Sequence, residues 1–180
     1  MKRIAIAAVV CLSVLPAHAD HIGIYPEPLA TVCVGPPPLP FSNASVYVVH
    51  QFSTGSTGSG WSVGVDLNGL VYLGSACISN PLIGDPINGA HFSYGGCLSA
   101  PITVCQLTFL YANPQPVAGC YHLQVEPYPG DAAVQVFDCA DNAHDATGGY
   151  FSFELPVILC DDCAVAVEPT TWGAVKALYR

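Results

Sequence analysis

The chain has 180 residues, 52% of them hydrophobic, with 13 acidic side chains against four Lys and Arg and a formal charge of −9 at pH 7. All four cations sit at the ends, as Lys2, Arg3, Lys176 and Arg180, so positions 4 to 175 hold no basic side chain except histidine. That excludes a nucleic-acid partner, which needs a basic face for phosphate, and excludes an anionic membrane surface for the same reason.

Residues 1–19 read as a secretory signal peptide. Lys2-Arg3 is the positive n-region, 4–15 is apolar but too short to span a bilayer, and Ala17-His18-Ala19 is an A-x-A cleavage site. Cys11 follows Val10 rather than a small residue, which argues against lipidation. The mature chain would start at Asp20, with two bases against 13 acids and a formal charge of −11. No later apolar run reaches spanning length, so membrane insertion is not expected. The expected location is extracellular or cell-surface, with the periplasm as the other envelope compartment.

The remaining cysteines are Cys33, Cys77, Cys97, Cys105, Cys120, Cys139, Cys160 and Cys163. An even set in an exported chain predicts disulfides, up to four, and eight cysteines allow 105 pairings among which the sequence does not choose.

In chain order, 22–25 reads as a short strand and 36–40 (Pro-Pro-Pro-Leu-Pro) as a stiff extended segment. Residues 46–52 are β-branched and aromatic. Residues 53–60 (STGSTGSG) read as a flexible Gly/Ser loop. Trp61, Val63, Val65 and Leu67 then alternate with Ser62, Gly64 and Asp66, the period of a half-buried strand. Asn68-Gly69 between apolar residues is a hairpin signature. Further strands are predicted at 71–74, 91–94, 121–126, 133–137, 149–155 and 164–167. Residues 102–111 are apolar on both faces and predict a central strand. Pro127-Tyr128-Pro129-Gly130-Asp131 is a turn cluster.

The only helix expected is 170–180, capped by Thr170 or Thr171. Trp172, Val175 and Tyr179 share one stripe, with Leu178 beside it. Lys176 and Arg180 lie near the C-terminus, where the dipole favours cations. The tail is expected either to cap the domain by packing or to contact an export or anchoring partner. Roughly eight to ten short strands separated by turns predict an all-β fold: a two-sheet antiparallel β-sandwich over 20–169, stabilised by disulfides, with a short C-terminal helix.

Chemistry is sparse. Cys160-Asp161-Asp162-Cys163 is a C-x-x-C, but its two acids oppose a lowered thiol pKa and no second pair supports zinc, so structural disulfides are expected. Asp138, Asp141, Asn142, His144 and Asp145 form an oxygen-rich loop of the kind that coordinates calcium, although its spacing is not that of an EF-hand and Asp and Asn also form ordinary turns. Calcium here is the leading cofactor candidate, ahead of a zinc site assembled across strands from His21, His50, His91, His122 and His144. No H-x-H, H-E-x-x-H or G-x-S-x-G is present. Trp61, Tyr94, Tyr128 and Tyr150 beside glycine or proline turns could form a glycan-stacking platform, weighed against a place in the core.

Two stretches carry resemblances. Thr171-Trp172-Gly173-Ala174-Val175-Lys176-Ala177-Leu178-Tyr179-Arg180 resembles a C-terminus, T-W-G-x-[VI]-K-x-[LM]-[YF]-R, found in small exported bacterial proteins, which implies an extracellular or surface location and no activity. The pattern over 46–74, strand, Gly/Ser loop, Gly60-Trp61, alternating strand and Asn-Gly turn, resembles the early strands of cohesin-like sandwiches. The expected function is non-catalytic, structural or adhesive, with a protein or glycan partner at the cell surface. A carbohydrate-binding module is the alternative, and a secreted hydrolase the third reading.

Overall fold

The computed structural model describes residues 20–29, 34–51, 54–66, 69–78, 81–115 and 121–153. The signal peptide, the predicted strand at 164–167, the C-terminal helix with Trp172, Val175, Lys176, Tyr179 and Arg180, and Cys33, Cys120, Cys160 and Cys163 lie outside the described residues. Within them the chain is all-β, with twelve strands: β1 His21–Tyr25, β2 Val34–Gly35, β3 Ser42–Gln51, β4 Ser56–Asp66, β5 Leu70–Cys77, β6 Pro81–Asp85, β7 Gly89–Leu98, β8 Ile102–Tyr111, β9 Tyr121–Glu126, β10 Val134–Phe137, β11 Ala143–Gly148 and β12 Tyr150–Phe153.

They form a β-sandwich. One layer runs β1-β3-β8-β5, antiparallel throughout, with Ile24 opposite Val48, Val46 opposite Leu107 and Cys77 opposite Cys105. The central position expected for 102–111 is the one β8 takes, between β3 and β5. The other layer runs β6-β7-β4, with β9 and β10 laid end to end on the far edge of β4. β11 and β12 follow alongside them, joined at Gly149. β11 also pairs in parallel with β1, His21 opposite Thr147, which hydrogen-bonds the two layers along one side.

Period-two patterning makes the core. Ile22, Ile24, Val46, Val48, Leu107 and Phe109 from the first layer meet Trp61, Val63, Phe92, Leu123, Val125 and Phe151 from the second, all buried. Each such side chain contributes about 1.5–3 kcal/mol by leaving water. Trp61 stacks on Phe92 with ring centroids 4.7 Å apart.

Two expectations are corrected. The Gly/Ser run is not a loop from Ser56 onward: Ser56 to Gly60 is the buried first half of β4, held between β7 and β10. Its small residues permit that approach. A methyl on Gly58 would strike the carbonyl oxygen of Phe92, and one on Gly60 the ring of His91. Nor does the Asn68-Gly69 turn close a hairpin, because β4 and β5 belong to different layers. Gly69, at φ 90°, turns the chain across the sandwich instead.

Candidate interaction surface

The strongest side-chain network is interior. His50, on β3, points inward opposite Ile22 on β1, and its Nδ1 lies 2.9 Å from the Tyr94 hydroxyl on β7. Tyr94 donates to Ser59 Oγ at 2.7 Å, and Trp61 Nε1 donates to the same oxygen at 2.9 Å. The chain thus crosses from layer to layer. Burial is the main effect on His50, outweighing the nearby Asp20, and pulls its pKa from 6.5 to about 4, so the imidazole is neutral at pH 7. His21, with Nδ1 2.9 Å from Thr147 Oγ1, is likewise lowered by burial. The network ties the two layers together through their interior.

The oxygen-rich loop closes on itself. Asp138 Oδ1 accepts from the backbone N–H groups of Ala140 and Asn142 at 2.8 and 2.9 Å, and Oδ2 accepts from the Asn142 amide at 3.0 Å and meets His144 Nε2 at 3.1 Å. The Asn142 amide, then His144, hold the Asp138 carboxyl well below the usual carboxylate range. Asp141 turns away to accept from Thr57 Oγ1 at 2.8 Å, and Asp145 accepts from Gln135 on β10 at 2.8 Å. Of the calcium candidates, Asp138 and Asn142 therefore bond to each other while Asp141 and Asp145 are engaged elsewhere. Among the described residues no three His, Cys, Asp or Glu side chains are grouped to hold a metal. The turn is fastened by the Cys97–Cys139 disulfide, which ties it to β7, while Cys77–Cys105 staples β5 to β8.

The four rings considered for a glycan platform are dispersed. Trp61 has no exposed surface, so it is a core residue and cannot face a sugar. Tyr94 directs its hydroxyl into the interior network. Tyr128 packs on His91 of β7, centroids 4.3 Å apart. Tyr150 lies on β12, opposite Gln124 of β9 and separated from β7 by β9 and β4.

Two outer regions of the described residues are uncharged and partly apolar. On the outer side of the first layer, Val71, Leu110 and Asn43 form one row across β5, β8 and β3, and Gly74, Thr108 and Ser45 the next. Val71 and Leu73 on the edge strand β5 are about half exposed, at 47% and 53%. At the end of β3, Pro26, the 35–39 segment, Ser42 to Ser45, Phe151 and Phe153 line a groove of about 450 Å³, with no charged residue among these described ones. Beside it Leu39 and Phe41 project into solvent, 73% and 66% exposed.

Phe41 is conformationally unusual. Ser42 N–H and Oγ both donate to the Leu39 carbonyl, at 3.1 and 2.6 Å, closing a tight turn with Pro40 and Phe41 at its centre. Phe41 has φ 55°, the left-handed region that this turn position usually reserves for Gly or Asn. A side chain there costs about 1–2 kcal/mol. The sequence reading identified the proline run but not the displayed Leu39 and Phe41; an aromatic directly after Pro40 was the available signal.

The sandwich is similar to solved cohesin modules. The sixth cohesin of Acetivibrio cellulolyticus scaffoldin B, solved in complex with a Cel5 dockerin, aligns with a TM-score of 0.53 at 15% identity, over 76% of this chain and 99% of that one. The cohesin module of a Clostridium perfringens family 33 glycoside hydrolase aligns at 0.52 and 7% identity, over 74% and 95%. A non-cellulosomal cohesin from the archaeon Archaeoglobus fulgidus aligns at 0.50 and 11%, over 77% and 94%. At these identities the likeness is one of fold. No protein-family model matches the chain, and no curated protein matches its sequence.

Proposed function

We propose that the chain is an exported, non-catalytic protein–protein adhesion module that holds a protein partner at the cell surface. The observation that carries this reading is the fold: the sandwich aligns over nearly the whole length of a cohesin that was solved with its dockerin bound. The signal-peptide pattern and the disulfides support an oxidising compartment outside the cytoplasm. The dispersed rings and the self-satisfied Asp138 turn favour protein over glycan or metal. The test is to present the mature, disulfide-bonded chain to purified envelope and secreted proteins from its own cells and, in parallel, to a glycan array. A saturable protein partner with a blank array is expected. Array binding with no protein partner would replace adhesion with the carbohydrate-binding reading.

A further inference from the structure

We infer that the Leu39–Phe41 turn and the groove beside it join two copies of this chain, each turn seated in the other's groove. Three observations lead there, and none rests on the adhesion reading. First, Phe41 is held at φ 55° while two-thirds exposed, so its own fold gains little from the ring. Strain kept at a displayed side chain points to use outside the fold. Second, turn and groove are one continuous patch, since Leu39 and Ser42, on either side of Phe41, both line the groove. A two-fold contact needs the same patch on both partners, so adjacent knob and hollow complete each other when the second copy is rotated onto the first. A groove of about 450 Å³ is large enough to receive small apolar groups such as these two side chains. Third, charge selects the face. The chain carries −9, and −11 without residues 1–19, so two copies repel over most of their surface, whereas the described residues of groove and turn include no charged one. Identical acidic chains can approach here without burying a carboxylate of the described lining residues.

The test uses the mature chain with its disulfides intact. Sedimentation velocity over a concentration series should show a monomer–dimer equilibrium. Phe41→Gly should raise the dimer dissociation constant by at least about tenfold, with no loss of melting temperature, because glycine suits the left-handed turn. Leu39→Ser should weaken association similarly. A photo-reactive phenylalanine at position 41, in a mixture of isotope-labelled and unlabelled copies, should cross-link between copies to 36–39 or 151–153. Peptides must be cut at acidic or aromatic residues, as the body lacks tryptic sites. A chain monomeric throughout, unchanged association in Phe41→Gly, a marked fall in its melting temperature, or cross-links elsewhere would each overturn the inference. So would a monomer that associates only after deletion of 170–180, since the groove's occupant would then be the chain's own tail.

Discussion

Tyr94 on one layer of the sandwich and His50 on the other meet 2.9 Å apart inside the core. This contact closes a chain of hydrogen bonds through Ser59 to Trp61, the largest buried side chain among the described residues. It makes the layers' registry depend on a neutral imidazole.

Stability should therefore fall with acid before the carboxylates titrate. The folded pKa of His50 is depressed below its unfolded 6.5, to about 4, so the unfolded chain binds the extra proton within that window. Unfolding free energy should be fully present above pH 6.5 and decline as pH falls toward 4, by at most about 3 kcal/mol. His21, shifted the same way, adds to the slope. Urea denaturation from pH 7 to pH 4 measures it, and His50→Gln should flatten the dependence. Asp138, whose folded pKa is depressed from 3.8, contributes its loss below this window.

Removing the shared hydroxyl tests the same bridge at neutral pH. Tyr94→Phe takes away a donor to Ser59 and the oxygen facing His50 Nδ1, and should cost about 1–3 kcal/mol. Chemical denaturation reads the change, and an unaltered midpoint would show that the bridge carries no stability.

Glycine at position 58 should be irreplaceable for a reason visible only in three dimensions. Its Cβ would meet backbone, not a movable side chain, so Gly58→Ala should destabilise by about 1–3 kcal/mol. Gly96 has nothing within 4 Å of a built Cβ, and Gly96→Ala should be nearly neutral in the same thermal melt.

Each described disulfide closes a long loop, 28 residues for Cys77–Cys105 and 42 for Cys97–Cys139. Replacing Cys97 and Cys139 together by serine should cost about 2–4 kcal/mol. Thiol-trapping mass spectrometry of the unreduced chain should recover these two pairings.

Calcium addition and chelation should leave the melting temperature unchanged. A cation in the Asp138 turn would have to displace Asn142 and His144 from that carboxylate and would find Asp141 and Asp145 engaged with Thr57 and Gln135. A rise of several degrees with calcium would show that these contacts yield to the ion.

The sequence made some elements plain and hid others for physical reasons. Residues 102–111 and 121–126 match β8 and β9 end to end, because burial wrote period and apolarity into them. Ser56 to Gly60 carries no such pattern: there, burial acts through the absence of side chains, and what it makes room for, the Phe92 backbone and the His91 ring, lies over 30 residues away. Asn68-Gly69 declares a turn but not which strand the chain meets next. β11 is largely exposed and paired through its backbone, so its residues read as loop. Trp61 is legible as strand, and a place in the core is the favoured expectation over a platform, as its full burial bears out. The groove was out of reach because it is assembled from separate stretches, Pro26, 35–39, 42–45, and Phe151 with Phe153.

The adhesion reading is tested most directly by trypsin shaving. Positions 4 to 175 hold no Lys or Arg, so trypsin can strip proteins from a cell surface while leaving the body of this chain uncut. Labelled mature chain is applied to cells of its own strain with the gene deleted, before and after shaving. The account predicts saturable binding that shaving abolishes. Binding that survives shaving and is competed by surface polysaccharide would contradict it.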